Sequence, residues 1–295
     1  MARIDRSSLV AAALGGGVAV LASWQPLGAA GAALAGTLVA FALYLGLSRR
    51  TRARRRVLER PFPDEWRTLL ERRVVYYREL DERERGRFRQ EVACFLAEQT
   101  ITGPRGAPLD DELRLLCASA AVMLVFGRPG FRYPVLRDIV VYAAAFDEED
   151  FQVSREGDFE GQVHTQGPIL LSAEALREGF EDAYDGRNVA LHEFAHVLDY
   201  EKGESDGVPI FMPAPIVEEW RELTLREMER ASTGRSVLDD YAAESEAELF
   251  AVATEAFFER PRGLRRRHPE LYALLRQTYQ QDPAAKRFKT RKRAE

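Results

Sequence analysis

The chain has 295 residues, a formal net charge of −5 and only two cysteines. Because both termini are strongly basic, the part between them is markedly acidic, which argues against a catalytic face that binds nucleic acid. The cysteines, Cys94 and Cys117, lie in apolar helical contexts. We expect them to be buried free thiols in a reducing compartment rather than a disulfide framework.

The first 57 residues are predicted to be a membrane anchor with a basic juxtamembrane segment. No charged residue occurs from Ser7 to Ser48, and this length suits two membrane crossings of about 20 residues better than one. The segment Trp24–Gly28 at the midpoint favours a hairpin turn. Arginines before and after the run favour cytosolic ends, which predicts an inner-membrane protein with a cytosolic catalytic domain. A single signal-anchor crossing and a cleaved signal peptide are the alternatives.

Helices and then strands are predicted after the anchor. Apolar residues recur at helical spacing in Pro63–Arg73, Glu82–Glu98 and Leu109–Phe126. Two apolar segments, Arg137–Tyr142 and Gln166–Ser172, are predicted to be strands. The second strand could lie at the edge of the sheet beside the active helix, where an extended substrate could pair with it; a plain structural strand is equally compatible with its residues.

The central motif is the pentapeptide His192-Glu193-Phe194-Ala195-His196. Positions i and i+4 of a helix share one face, so both imidazoles can hold one metal ion. Zinc suits such a pair at neutral pH and keeps positions for a third protein ligand and a water. Glu193 would be the general base of a zinc-activated water that attacks a peptide carbonyl. The motif therefore predicts a zinc metallopeptidase, and a pair of structural core histidines is the alternative.

Sequence signals also mark the ends of the helix that carries this motif. Asp185 or Asn188 can cap its start, and Gly203 can close its end. Asp199, one turn after the second histidine, is expected to orient a ligand or to pack the helix end.

The third metal ligand has several downstream candidates. Glu218 and Glu219 follow the second histidine by 22 and 23 residues. A later predicted helix, which ends at about Glu259, carries three more candidates on one face: Glu244, Glu248 and Glu255. A capping box that starts at Ser245 would explain Glu248 without any metal. Spacing alone therefore favours Glu248 over Glu219 without deciding between them.

Two further helices and a basic tail complete the chain. Pro215–Arg230 is predicted to be a helix that covers the cleft or supports it, and Gly263–Tyr279 is predicted to be a helix that packs the back of the domain. His164 is expected to lie in an exposed loop or at the cleft rim, and His268 at the surface. The predicted fold is α+β: a zincin-like metallopeptidase domain at 58–283, with a small sheet and a zinc-binding helix. A helical region and the membrane hairpin would precede it, and residues 284–295 would form a basic disordered tail.

From Gly167 to Pro283 the chain resembles the Mlc titration factor A family, zinc metallopeptidases of the gluzincin type. The matching segments include the zinc motif and six others: Gly167–Ser172, Gly207–Pro209, Asp240–Ala243, Ala247–Val252, Glu255–Phe258 and Tyr279–Pro283. The resemblance implies that zinc is held by His192, His196 and Glu248. It also implies that Tyr241 donates a hydrogen bond to the developing oxyanion.

Two classes of function remain on these grounds. The first is a membrane-tethered zinc peptidase, with peptide or protein substrates and Glu193 and Tyr241 as catalytic residues; the resemblance implies aminopeptidase activity. The second is a zinc-stabilised module that sequesters a transcriptional regulator, because the resemblance also implies an anti-repressor role. A membrane quality-control zinc protease is a further alternative, although its downstream motifs match poorly.

Overall fold

A computed structural model of the chain describes residues 33–46, 49–133, 136, 138–143, 161–163, 168–200, 205–233, 236, 238 and 240–285. The chain divides into two compact units, Met1–Pro61 and Phe62–Glu295. The described part of the first unit comprises helix α1 at 33–46 and the arginine-rich helix α2, Arg49–Leu58.

The predicted location in the inner membrane is contradicted. Within the residues that the structure describes, no helix has the length and apolar character needed to span a membrane. The first arm of the predicted hairpin and its turn at Trp24–Gly28 fall in residues 1–32, outside the described part of the chain.

The second unit opens with the predicted helical region. Its helices are α3 (Asp64–Arg73), α4 (Val75–Arg78), α5 (Glu82–Glu98) and α6 (Asp111–Val125). Asp81 and Glu84 form a reciprocal capping box that starts α5. Helix α6 is apolar and almost wholly buried, and it contacts α3, α5 and the later helix that carries the zinc motif. Cys94 and Cys117 are buried and are not joined by a disulfide, as predicted.

The described strands form one small sheet in the order β1-β2-β4-β3. Their bounds are β1 Ile101–Thr102, β2 Ile139–Tyr142, β3 Gly161–Val163 and β4 Ile169–Ser172. The first, second and fourth strands are parallel, and β3 runs antiparallel to β4. Of the two interpretations of β4, the edge strand is wrong and the structural strand is right. It lies between β2 and β3, and all four of its residues are buried, as in an interior strand.

Six helices are described after the sheet. They are α7 (Ala173–Glu181), α8 (Val189–Tyr200), α9 (Ala214–Ser232), α10 (Glu246–Glu259), α11 (Pro261–Arg267) and α12 (Pro269–Tyr279). A short 3₁₀ turn, Asp240–Ala243, precedes α10. Helix α8 packs directly against α10 and also contacts α6, α7 and the strands β3 and β4. The α+β class is therefore confirmed, with helices dominating.

The last predicted helix is interrupted at His268, and this histidine is not at the surface. The residue before a proline is disfavoured in helical conformation, and His268 adopts φ −133° and ψ 64° before Pro269. The break separates α11 from α12. The ring of His268 is only 1% exposed, and its Nδ1 lies 2.6 Å from a carboxylate oxygen of Glu227 in α9.

Candidate metal centre

Helix α8 presents both histidines of the central motif on one partly exposed stripe. Its start is capped by Asn188, whose Oδ1 accepts a hydrogen bond from the backbone N–H of Leu191 at 3.2 Å. Asp185 is not the cap, because its carboxylate accepts instead from the N–H of Arg187. The other sides of the helix are buried in the core, so His192 and His196 face the remaining side. Their Nε2 atoms are 3.1 Å apart.

Helix α10 places Glu248 against these two rings. Oε2 of Glu248 lies 3.1 Å from Nε2 of His192, and Oε1 lies 3.3 Å from Nε2 of His196. Ser245 caps the helix by accepting from the N–H of Glu248 at 3.1 Å. The capping signal in the sequence therefore sets the backbone of the first turn of α10, while the Glu248 carboxylate lies at the histidines.

The donor atoms of these three side chains lie close enough together to share a small cation. Among the described residues, His192, His196 and Glu248 form the group of ligand-type side chains that could hold a metal ion. In a tetrahedral zinc site with bonds of about 2.0–2.1 Å, neighbouring ligand atoms lie about 3.3 Å apart. Two imidazoles and one carboxylate are also a known donor set for a catalytic divalent ion. The residues present thus fit a metal.

Electrostatics favour positive charge at this cluster. Burial acts to lower the pKa of His192, but its hydrogen bonds to Glu248 and Glu255 raise it to about 10. Burial acts to raise the pKa of Glu248, but its hydrogen bonds with His192 and His196 lower it to about 2. The cluster therefore stabilises a cation between its members, carried either by protons or by a metal ion.

Glu193 lies beside the histidines and is almost fully buried. The residue is 5% exposed, and its Oε2 is buried without a hydrogen-bond partner among the described residues. Burial raises the pKa of this carboxyl to about 7, although the charges of His192 and His196 act in the opposite direction. A carboxylate whose pKa lies near neutrality can take up and release a proton at neutral pH.

Tyr241 stands at the rim of the cluster. It belongs to the 3₁₀ turn before α10, its ring centroid is 6.1 Å from that of His192, and it is 45% exposed. Burial and the charges of nearby carboxylates, first Glu248 and then Glu244 and Glu193, raise the pKa of its hydroxyl. The hydroxyl is therefore protonated near neutral pH and is available as a hydrogen-bond donor.

The other carboxylates considered as ligands lie elsewhere. Glu218 and Glu219 are exposed on α9, and Glu244 is exposed before α10 begins. Asp199 is fully buried and accepts from the N–H of Val208 and the hydroxyl of Ser205, so it packs the end of α8 rather than orienting a ligand. His164 and Gly203 fall outside the described residues.

Sequence reasoning missed the role of the last candidate, Glu255, and of its neighbours. Its carboxylate lies 2.8 Å from Nδ1 of His192, on the side of the ring that faces away from His196 and Glu248. Asn188 joins it to Glu259. A recurrence of glutamate at intervals of seven and four residues along α10 was the available signal, since these intervals place all three side chains on one face.

Comparisons with known proteins find a metallopeptidase family and several relatives. The model of the glucose-regulated metallo-peptidase family M90 matches residues 48–280. An uncharacterized protein of Synechocystis sp., slr2042, is 30% identical over 247 residues, which cover 78% of this chain and 88% of that protein. Mlc titration factor A of Pectobacterium atrosepticum is 30% identical over 216 residues, 65% of this chain and 78% of the relative. The protein of that name from Escherichia coli O9:H4 is 31% identical over 222 residues, 66% and 80% of the two chains.

Proposed function

This chain belongs to the glucose-regulated metallopeptidase family M90, and we propose that it is a zinc-dependent peptidase that hydrolyses peptide bonds. One observation carries the proposal. The Nε2 atoms of His192 and His196 and the carboxylate of Glu248 converge to within 3.3 Å, beside a buried carboxylate oxygen of Glu193 that has no partner among the described residues. A structural cluster has no need of that unpartnered oxygen, whereas a hydrolase uses it to accept a proton.

Each side chain has a distinct role in this proposal. His192, His196 and Glu248 would hold the ion, which would lower the pKa of a neighbouring water to about 7 and polarise the scissile carbonyl. Glu193 accepts the proton of the attacking water and delivers it to the leaving amine. The hydroxyl of Tyr241 donates a hydrogen bond to the oxygen on which negative charge develops. The products are a carboxylic acid and an amine, so the water is consumed and Glu193 is regenerated.

A role in binding a regulatory protein is the second candidate. The names of the Pectobacterium and Escherichia relatives, Mlc titration factor A, support it. In this alternative, zinc would stabilise a surface that binds a transcriptional regulator, with little catalysis. The buried oxygen of Glu193, which has no partner within the described part of the chain, favours the enzyme, because a binding module needs no base beside its metal.

The test is zinc content and peptide hydrolysis by the full-length protein and two variants. Glu193→Gln should retain zinc and lose turnover, whereas Glu248→Gln should lose zinc affinity. Glu219→Gln, at an exposed position of α9, is the matched control and should equal the wild type in both measurements. Zinc-loaded wild type that is as inactive as Glu193→Gln on broad peptide libraries would favour the binding module. Wild type that binds no zinc would overturn the proposal.

A further inference from the structure

Glu255 contacts the nitrogen of His192 that does not face the metal cluster. Oε1 of Glu255 lies 2.8 Å from Nδ1 of His192, while Nε2 of the same ring lies 3.1 Å from Glu248. The two ring nitrogens point away from each other, so Glu255 cannot reach an ion held at Nε2. A carboxylate in this position accepts the Nδ1 proton, which leaves Nε2 with a lone pair for a metal.

The second oxygen of Glu255 is also occupied. Oε2 accepts a hydrogen bond from the backbone N–H of Asn188, the residue that caps α8. Glu255 is only 7% exposed, so water offers little alternative to either donor. Its negative charge also lies at the amino end of α8, where the helix dipole stabilises it. One carboxylate of α10 thus binds both the first histidine and the start of the helix that carries it.

The side chain of Asn188 is held in turn by two acceptors. Its Nδ2 donates to the carbonyl of Gly179 at 2.8 Å and to Oε1 of Glu259 at 3.2 Å. Gly179 belongs to α7 and Glu259 to the last turn of α10. The side chain of Asn188 is therefore held by α7 and α10 and also caps α8. The backbone N–H that Asn188 donates to Glu255 thus has a defined position.

We propose that Glu255 is the positioning residue of His192: it holds the ring in the Nδ1–H tautomer with Nε2 directed at the metal. This inference rests on the proposed zinc site. Both carboxylate oxygens are required, because each accepts from a different donor. A glutamine at 255 keeps the shape but has only one acceptor oxygen, so its NH₂ group would face either the Nδ1–H of His192 or the N–H of Asn188.

Glu259 provides a matched control on the same face of α10. It is buried like Glu255 and bonds the same asparagine, but it does not contact a histidine of the cluster. Burial raises its pKa to about 9, so the carboxyl is neutral at pH 7. Replacement by glutamine therefore preserves both charge and shape at 259, whereas it removes a charge and an acceptor at 255.

The experiment compares the full-length wild type with Glu255→Gln, Glu255→Asp and Glu259→Gln. Chelator competition should give zinc affinities weakened about 10- to 100-fold for both Glu255 variants and unchanged for Glu259→Gln. Long-range ¹H–¹⁵N NMR of the zinc-loaded wild type should find His192 protonated at Nδ1, with that signal shifted or lost in the Glu255 variants. The Asp variant retains the charge but is one methylene too short, so it tests the contact in a conservative substitution.

Unfolding of the metal-free proteins separates positioning from a merely structural role. A structural role would lower the unfolding midpoint of the Glu255 variants while leaving zinc affinity and the His192 tautomer as in the wild type, which would overturn this inference alone. If Glu255→Asp bound zinc as tightly as the wild type, the inference would be overturned even if Glu255→Gln failed to fold. A wild type without zinc affinity would overturn the proposed function and this inference with it.

Discussion

Glu248 and His192 are separated by 56 positions in the chain, yet Oε2 of Glu248 lies 3.1 Å from Nε2 of His192. The two residues belong to α10 and α8, which pack directly against each other. When Glu255 holds the proton of His192 on Nδ1, both of these facing atoms carry lone pairs. Only a second proton on the ring or a metal ion between them offsets their repulsion.

We therefore expect zinc to raise the thermal unfolding midpoint of the wild type. A ligand at 100 times its dissociation constant adds about 2.7 kcal/mol to the free energy of unfolding. Calorimetry of chelator-treated protein, before and after addition of zinc, measures this shift. Glu248→Gln should show a smaller rise, and Glu219→Gln the full rise. An equal rise in both variants would exclude Glu248 as a ligand.

Tyr241→Phe should reduce peptide hydrolysis without affecting folding. The hydroxyl is proposed to act on the charge that develops in the transition state, so its loss should lower kcat by about 10²- to 10³-fold and leave KM nearly unchanged. Steady-state kinetics measure both constants. The control is Tyr184→Phe, because this tyrosine is similarly exposed at 48%. A rise in KM at constant kcat would instead make Tyr241 a substrate-binding residue.

Gly207→Ala should destabilise the protein more than an alanine at another glycine with positive φ. Gly207 has φ +70°, and an added Cβ would collide with the backbone carbonyl of Glu246 at the first residue of α10. Gly130 has φ +80°, but a Cβ there meets nothing within 4 Å. Denaturant unfolding should give about 1–2 kcal/mol for Gly130→Ala, the conformational cost alone, and a larger loss for Gly207→Ala.

The same substitution should weaken zinc binding, because the start of α10 also carries Glu248. Chelator competition on Gly207→Ala and Gly130→Ala measures this effect. Equal affinities in the two variants would indicate that α10 absorbs the collision without moving the carboxylate.

The buried pair of Glu227 and His268 should contribute stability that depends on pH. Burial acts to raise the pKa of Glu227, but the hydrogen bond from His268 lowers it overall. A carboxyl whose folded pKa is below its unfolded value of about 4.3 stabilises the fold above that pH, and the stability is lost as pH falls through the folded pKa.

Denaturant unfolding of Glu227→Gln at several pH values tests this. The variant should be less stable than the wild type at pH 7 by about 1.5–3 kcal/mol, typical of a hydrogen bond to a charged group, and the difference should shrink below about pH 4. Glu229→Gln, at an exposed position on the same helix, should show no such trend. A difference that is constant with pH would mean that the pair does not titrate on unfolding.

Several elements were predictable because their signals are local. Helix α5 begins and ends where its apolar spacing predicts, at Glu82–Glu98. The spacing of His192 and His196 places both rings on one helix face in any fold that keeps α8. The predicted family is confirmed. It was predictable because its motifs are contiguous stretches of the chain.

Other predictions failed where a local pattern has two explanations. An uncharged run of 42 residues, 7–48, is compatible with a membrane segment as well as with other structures, and no helix among the described residues could span a membrane. An apolar segment such as Ile169–Ser172 is compatible with either an edge or an interior strand, and only its pairing with both neighbours decides. His268 was placed at the surface because it lies among arginines, but the break before Pro269 directs it toward Glu227.

The sequence by itself determined which metal-binding and catalytic side chains are present: two imidazoles one helical turn apart, a glutamate between them, and carboxylates in a later helix. Which carboxylate meets which nitrogen was decided by the packing of α10 on α8, because that contact brings together residues more than 50 positions apart. Glu248 and Glu255 are both glutamates on one helix face, and their spacing does not distinguish them, although the family resemblance favours Glu248 as the ligand. Only the tertiary structure places one at Nε2 of His192 and the other at Nδ1.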